Sequence, residues 1–200
     1  MTDSPPSVFI DRDGTLIEEV NYLSRLDQMV LIPGAGAAVA RVNRAGLPVV
    51  VVSNQAGVAR GFFPESFASE DSPRHLKNLL AAQGAAMQGY YYCPHHTAGI
   101  PPYNIDCDCR KPKPGMLLQA RSELGVRLEG SYFIGDRVSD VETGREYGMV
   151  PILVRTGYGR ENEPLLSQEF FQRGGQVFDL LPQALDWIVQ RETSPNKPSA

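Results

Sequence analysis

Four short stretches of this chain carry side chains that could act together on one substrate. The first is Asp11-Arg12-Asp13-Gly14-Thr15, where two carboxylates follow the apolar run Val8–Ile10. The second is Ser53-Asn54-Gln55-Ala56-Gly57, after the valine-rich run Pro48–Val52. The third, Cys109-Arg110-Lys111-Pro112-Lys113-Pro114, supplies cations. The fourth, Gly135-Asp136-Arg137-Val138-Ser139-Asp140, follows the run Ser131–Ile134. Carboxylates placed at a strand exit are costly unless a cation or a substrate needs them. A lysine and a hydroxyl beside them could hold the oxygens of an anion. A separate grouping is built on sulfur. Cys93-Pro94-His95-His96 and Cys107-Asp108-Cys109 use all three cysteines of the chain. Three cysteines and a histidine make a recognised structural zinc composition.

Each piece also has a plainer reading. Asp-Gly-Thr can be a turn flanked by solvated acids, and Ser-Asn a turn of its own. Asp140 can simply favour a helix start. Lys-Pro repeats mark solvated linkers, and the cysteines could be free thiols. The case for chemistry is their joint appearance in this order, each beside a strand exit or a helix start.

The elements that must position these residues alternate along the chain. Val8–Ile10 reads as a short buried strand. After the long connection Leu16–Ile32, Ala38, Val39 and Val42 have helical spacing, predicting a helix over Ala35–Ala45 that Gly46 ends. Pro48–Val52 reads as a central parallel strand. Phe62–Asp71 reads as irregular, interrupted by Pro64 and Pro73. Ser72-Pro73 reads as an N-cap and first-turn proline before a helix over His75–Gln83. Gln88–Tyr92 is a third strand, and Cys93–Pro114 a loop long enough to demand a function or a brace. A helix over Gly115–Leu124, strands at Ser131–Ile134 and Val150–Val154, a helix up to about Tyr147, a short strand near Val177 and a helix over Pro182–Gln190 complete the pattern. Such alternation predicts an α/β fold, a doubly wound parallel sheet with helices on both faces. No stretch between the motifs holds a separate cap domain of about 50 residues or more. The site should therefore be open, shaped by Leu16–Ile32, Phe62–Asp71 and the cysteine loop.

Bulk properties narrow the class. Two hundred residues with 42% hydrophobic content suit one domain with a real core. We read 1–192 as that domain and 193–200 as a disordered tail. A formal charge of -4 argues against a nucleic-acid partner or an anionic-membrane surface. No apolar run approaches the roughly 18 residues that span a bilayer. The first residues do not read as a signal peptide, so a cytoplasmic location is expected. An odd cysteine number in such a chain argues against a disulfide framework. No G-x-x-x-x-G-K-[ST] loop occurs, which disfavours a kinase.

The order and spacing of the four stretches resemble those of the haloacid dehalogenase superfamily of phosphatases. The resemblance implies that superfamily's Rossmann-like fold, Mg2+ as cofactor, and an aspartyl-phosphate intermediate. It makes Asp11 the nucleophile and Asp13 the group that protonates the leaving oxygen and then activates water. Ser53 and Lys111 would hold the phosphoryl oxygens. Mg2+ would be bound by Asp11, Asp136 and the main-chain carbonyl of Asp13, with Asp140 orienting Lys111 or a metal-bound water.

A narrower resemblance runs from about Val8 to Gly157, and more weakly to Ala184. Ser53–Gly61, Tyr91–His96, Cys107–Pro112 and Leu153–Gly157 are similar to the D,D-heptose 1,7-bisphosphate phosphatases. These are relatives of the histidinol-phosphate phosphatases, which share the cysteine loop. This resemblance makes Cys93, His95, Cys107 and Cys109 ligands of a zinc ion that braces the loop, with His95 preferred to His96 through Cys-Pro-His. It implies a sugar bisphosphate substrate, cleaved at C7 in nucleotide-activated heptose biosynthesis, and a monomeric protein. Substrate contacts would come from Glu19, Val20, Asn21, Tyr22, Ser53, Asn54, Gln55, Ala56, Arg110 and Lys111. The planar fork of Arg110 suits a second phosphate. Histidinol phosphate, or a related small sugar phosphate, is the alternative substrate, although Ala56 stands where the histidinol-phosphate branch usually carries an acid.

Overall fold

The computed structural model describes residues 4–194. Six strands form one parallel sheet: β1 (Pro6–Asp11), β2 (Val49–Asn54), β3 (Gly89–Cys93), β4 (Arg127–Gly135), β5 (Val150–Val154) and β6 (Gln176–Phe178). Their order is β3-β2-β1-β4-β5-β6. Parallel strands need crossovers, and helices supply most of them. They are α1 (Ala35–Arg44), α2 (Ala56–Ala59), α3 (Ser72–Ala81), α4 (Gly115–Leu124), α5 (Val138–Thr143), α6 (Gly159–Asn162), α7 (Gln168–Gln172) and α8 (Leu181–Thr193).

Strand residues alternate between two buried faces. On one face Val8, Ile10, Val49 and Val51 pack with Val39 and Val42 of α1, Leu76 and Leu80 of α3, and Leu185 and Ile188 of α8. On the other, Phe9, Val50, Val52 and Phe133 meet Met116, Leu117 and Ala120 of α4. This explains the almost unbroken valine run of β2, since both faces are covered. Among the described residues there is no separate cap domain. No helix among them is long and apolar enough to cross a membrane.

The order reverses at β1, so β2 and β4 flank it and crossovers leave in opposite directions. Such a switch point opens a crevice beyond the carboxyl ends of the strands. Register sets what meets there. Asp11 pairs with Val52, one residue before Ser53, and Ile10 pairs with Ile134, two before Asp136. Asn54 pairs with Cys93, which ties the second motif to the first cysteine.

The predicted elements stand with changes at their ends, the largest at β4, which begins at Arg127 rather than Ser131, and at α5, which ends at Thr143 before a 3₁₀ turn over Arg145–Tyr147; one region differs more. Phe62–Asp71 is irregular only over 62–64. Glu65 and Ser66 begin a helix that passes through a π-helical turn, Phe67–Asp71, directly into α3. Proline inside a helix loses a donor and crowds the carbonyl four residues back. The wider π turn ahead of Pro73 accommodates that ring. Ser72 is therefore not an N-cap: its φ of -63° is helical and its side chain is fully buried. At the other end α8 runs through Thr193, into the stretch expected to be disordered, and 195–200 of that tail lie outside the described residues, as do 1–3.

Candidate active site

Asp11 ends β1, Asp136 directly follows β4, and Asp140 sits in α5. Oxygens of the three carboxylates lie within 4.8 Å of one another, and all three residues are buried. Lys111 reaches them from the long loop. Its Nζ pairs with Asp11 and, at 2.7 Å, with Asp140, and donates to the Val52 carbonyl at 3.1 Å. Burial alone would lower the Lys111 pKa, but Asp11 and Asp140 more than offset it and hold the ammonium charged. Burial raises Asp11 well above the usual carboxylate range; Lys111 opposes the shift, while Asp140, Asp136 and Asp13 add to it. Burial, then Asp140, push Asp136 up to about 7.

Asp136 is held in place from two sides. Its Oδ2 accepts a hydrogen bond from the Tyr158 N–H at 2.8 Å. Gly14 and Gly157 press on it, both at positive φ, and a Cβ on either would stand 2.3 or 2.1 Å from that Oδ2. Its Oδ1 is buried with no hydrogen-bond partner among the described residues. An orphaned buried carboxylate oxygen beside two more acids fits a hard divalent cation such as Mg2+, which takes oxygen ligands.

Asp13 is placed differently. Its carboxylate accepts from Arg12 Nη2 at 2.8 Å, Gln55 Nε2 at 2.9 Å and Ser53 Oγ at 3.2 Å. Ser53 is fully buried, and also accepts from Gln55 at 2.7 Å. The side chain of Asp13 is turned toward these donors and is not part of the three-carboxylate cluster.

A cleft of about 380 Å³ opens over these groups. Of the expected contact residues, Glu19, Asn21, Tyr22, Asn54, Gln55, Ala56, Arg110 and Lys111 line it. Val20 and Ser53 are not among the lining residues; Val20 packs against the core. Asn21 and Tyr22 both have positive φ, and the Asn21 N–H donates to Glu19 Oε1 at 2.6 Å. Tyr22 meets Phe62 edge to face at 4.9 Å, making an aromatic rim. Asn54 grips the Lys111 backbone, accepting from its N–H at 3.0 Å. The sequence reading passed over Arg137 and Tyr158, which also line the cleft, with the Arg137 guanidinium 3.8 Å from the Tyr158 ring centroid. The signal for Arg137 was its place directly after Asp136.

The cysteine loop closes on itself beside this cleft. Cys109 Sγ lies 2.9 Å from Cys93 Sγ and 3.2 Å from Cys107 Sγ, and 3.3 Å from His95 Nδ1. All three cysteines are free thiols. The Cys109 pKa falls to about 5, first through its hydrogen bond with Cys93, while that bond and burial raise Cys93. Four convergent soft donors fit zinc in its closed, structural form. His96 is not in the cluster; its Nδ1 accepts from the Ala98 N–H. Arg110 donates to the His95 carbonyl at 3.2 Å, so the loop also steadies the cation beside the cleft.

A sheet in this order, with acids, a serine and a lysine meeting at its switch point, defines a protein of the haloacid dehalogenase type. A family profile described as "HAD-hyrolase-like" matches residues 108–181. The chain is 43% identical over 156 residues to the D-glycero-beta-D-manno-heptose-1,7-bisphosphate 7-phosphatase of Pasteurella multocida, covering 76% of this chain and 82% of that one. Against the protein of the same name from Escherichia coli K12, identity is 38%, covering 78% and 83%. The crystal structure of D,D-heptose 1,7-bisphosphate phosphatase from B. bronchiseptica, complexed with magnesium and phosphate, superposes with a TM-score of 0.80 at 28% identity, covering 93% of this chain and 99% of that one. The chain belongs to the D-glycero-β-D-manno-heptose-1,7-bisphosphate 7-phosphatase family.

Proposed function

We propose that this chain is a Mg2+-dependent phosphatase that removes the C7 phosphate of D-glycero-β-D-manno-heptose 1,7-bisphosphate. The observation that carries this reading is the meeting of Asp11, Asp136 and Lys111 beneath an open cleft, in a chain of that family. Mg2+ bound by Asp11, Asp136 and the Asp13 carbonyl would neutralise charge on the phosphoryl group.

In the first half-reaction an Asp11 carboxylate oxygen forms a bond to phosphorus as the bond from phosphorus to the C7 oxygen breaks. Asp13 gives its proton to that departing oxygen. Lys111 and the Ser53 hydroxyl would steady the phosphoryl oxygens, with Asp140 keeping Lys111 in line. In the second half-reaction Asp13 takes a proton from water as the water oxygen bonds to phosphorus. Inorganic phosphate leaves, and Asp11 returns to a carboxylate. Arg110, at the cleft wall, would bind the C1 phosphate. Asn21, Tyr22 and Asn54 would contact the sugar.

The zinc would be structural, because four protein ligands leave no open position. We read the enzyme as a cytoplasmic monomer, with 1–192 as one domain. Free thiols gathered as metal ligands suit a reducing compartment. The test compares kcat/KM on the two anomers of heptose 1,7-bisphosphate and on histidinol phosphate. The β-anomer should be the best of the three, and a preference for histidinol phosphate would overturn the reading.

A further inference from the structure

Arg12 is the largest fully buried side chain of the described residues, 1% exposed, yet the four-motif chemistry gives it no task. A buried guanidinium is retained only where its charge and donors are met. Its Nε reaches both Asp13 oxygens at 3.2 and 3.1 Å, and Nη2 adds a bond at 2.8 Å. That is the two-pronged grip in which Arg fixes the orientation of a carboxylate. On the far side Nη1 donates to Ser72 Oγ at 2.5 Å and to the Tyr90 hydroxyl at 3.1 Å. These two anchors come from different elements, α3 and β3. Ser72 is the first residue after the π turn Phe67–Asp71, so that widened turn sets the direction from which its hydroxyl arrives.

We propose that Arg12 is a positioning residue for Asp13, anchored from behind by Ser72 and Tyr90. Its guanidinium cannot follow the carboxylate if Asp13 swings away, because the anchors hold it. Turning Asp13 out would strand a buried cation, so the carboxylate stays at one orientation through both proton transfers. The side chain of Asp13 keeps 23% exposure, enough to meet a leaving oxygen from the cleft. The proposal rests on the reading of Asp13 as the proton-transfer group. It adds that residues about 60 and 78 positions away in sequence, neither of them lining the cleft, govern that transfer.

The test uses full-length enzyme with its metals and the variants Ser72→Ala, Tyr90→Phe and the pair together. Single-turnover phosphoryl transfer is measured with heptose 1,7-bisphosphate, whose leaving oxygen needs a proton, and with p-nitrophenyl phosphate, whose leaving group does not. General acid–base help is worth about 10²–10⁴-fold, and a loosened clamp should forfeit about 10–100-fold of it on the sugar. Transfer from p-nitrophenyl phosphate and the KM for the sugar should change less than about threefold by the same reasoning. If the pair fails to fold, the single variants, each removing one hydroxyl, carry the test. Equal losses on both substrates, or a sugar loss below about threefold, would overturn the proposal. Asp13→Asn separates the two claims. A split between substrates in Asp13→Asn without one in the anchor variants overturns the anchoring alone. No split in Asp13→Asn overturns the role of Asp13 and the anchoring with it.

Discussion

Replacing Lys111 with methionine should destabilise the protein, and the loss should grow as pH rises. The lysine side chain is 2% exposed and lies between Asp11 and Asp140, whose side chains are 8% and 1% exposed. Methionine keeps much of the stem's volume, so the main change is loss of the cation. What remains is a pair of buried carboxylates with a third, Asp136, within 4.8 Å. Removing one partner of a buried ion pair costs about 3–5 kcal/mol. The acids can reduce this by taking up protons, and the sign of the pH effect follows. Asp136 already sits at about 7 against an ordinary value of 3.8, so the native state binds its proton more tightly than the unfolded chain does. Stability from that proton is present at low pH and is lost as pH rises through about 7. Asp11 is raised by burial already, and without Lys111 it loses the cation that opposes this shift, so it follows the same course. Urea unfolding in metal-free buffer should show a loss of about 3–5 kcal/mol at pH 8. That loss should shrink by about 1.4 kcal/mol or more at pH 5.5, the equivalent of one unit of pKa shift. A loss under about 1 kcal/mol at pH 8, or one that grows on acidification, would refute the reasoning.

Four further outcomes are expected. Asp11→Asn should abolish turnover while the fold persists; retention of more than about a tenth of kcat, less than ~1.4 kcal/mol of barrier, would remove the nucleophile assignment. Arg110→Ala should lower kcat/KM on a bisphosphate by about 10–150-fold, the cost of one charge-assisted bond, and much less on a monophosphate; equal losses would place Arg110 on the reacting phosphate. Mg2+ should bind about tenfold more tightly at pH 8 than at pH 6, since the Asp136 proton must leave first; calorimetry giving a pH-independent affinity would count against Asp136 as a ligand. Metal analysis should find one zinc per chain, and Cys109→Ala should lower activity with the α/β core still folded and no rescue by Mg2+, which does not replace zinc at thiolates; normal kinetics in Cys109→Ala would defeat the bracing role.

Much of the fold was legible because its strands are buried on both faces. Val49–Val52 can be little else than a central parallel strand, and Gly115–Leu124 coincides with α4. Strand order was not legible, because pairing joins residues far apart in sequence and local pattern carries no record of it. The switch at β1 had to be seen. The helical stretch ahead of α3, residues 65–71, was hidden for a local reason. Pro73 ordinarily signals a start or a break, and only a π turn lets it sit inside. The same turn hid the task of Ser72, which looks like a cap but bonds Arg12 sixty positions away. In the site, residue types and spacing marked Asp11, Asp13, Ser53, Lys111 and Asp136, yet the two aspartates of the first motif live in opposite surroundings. Asp11 lies among acids with one lysine; Asp13 is gripped by Arg12, Ser53 and Gln55. A two-residue spacing places both carboxylates at one strand exit, but which donors each one meets depends on β2, β3 and α3. Under the proposed roles, the division of labour between attack and proton transfer is set by tertiary contacts, and substitutions at Ser72 and Tyr90 should reach it without touching either aspartate.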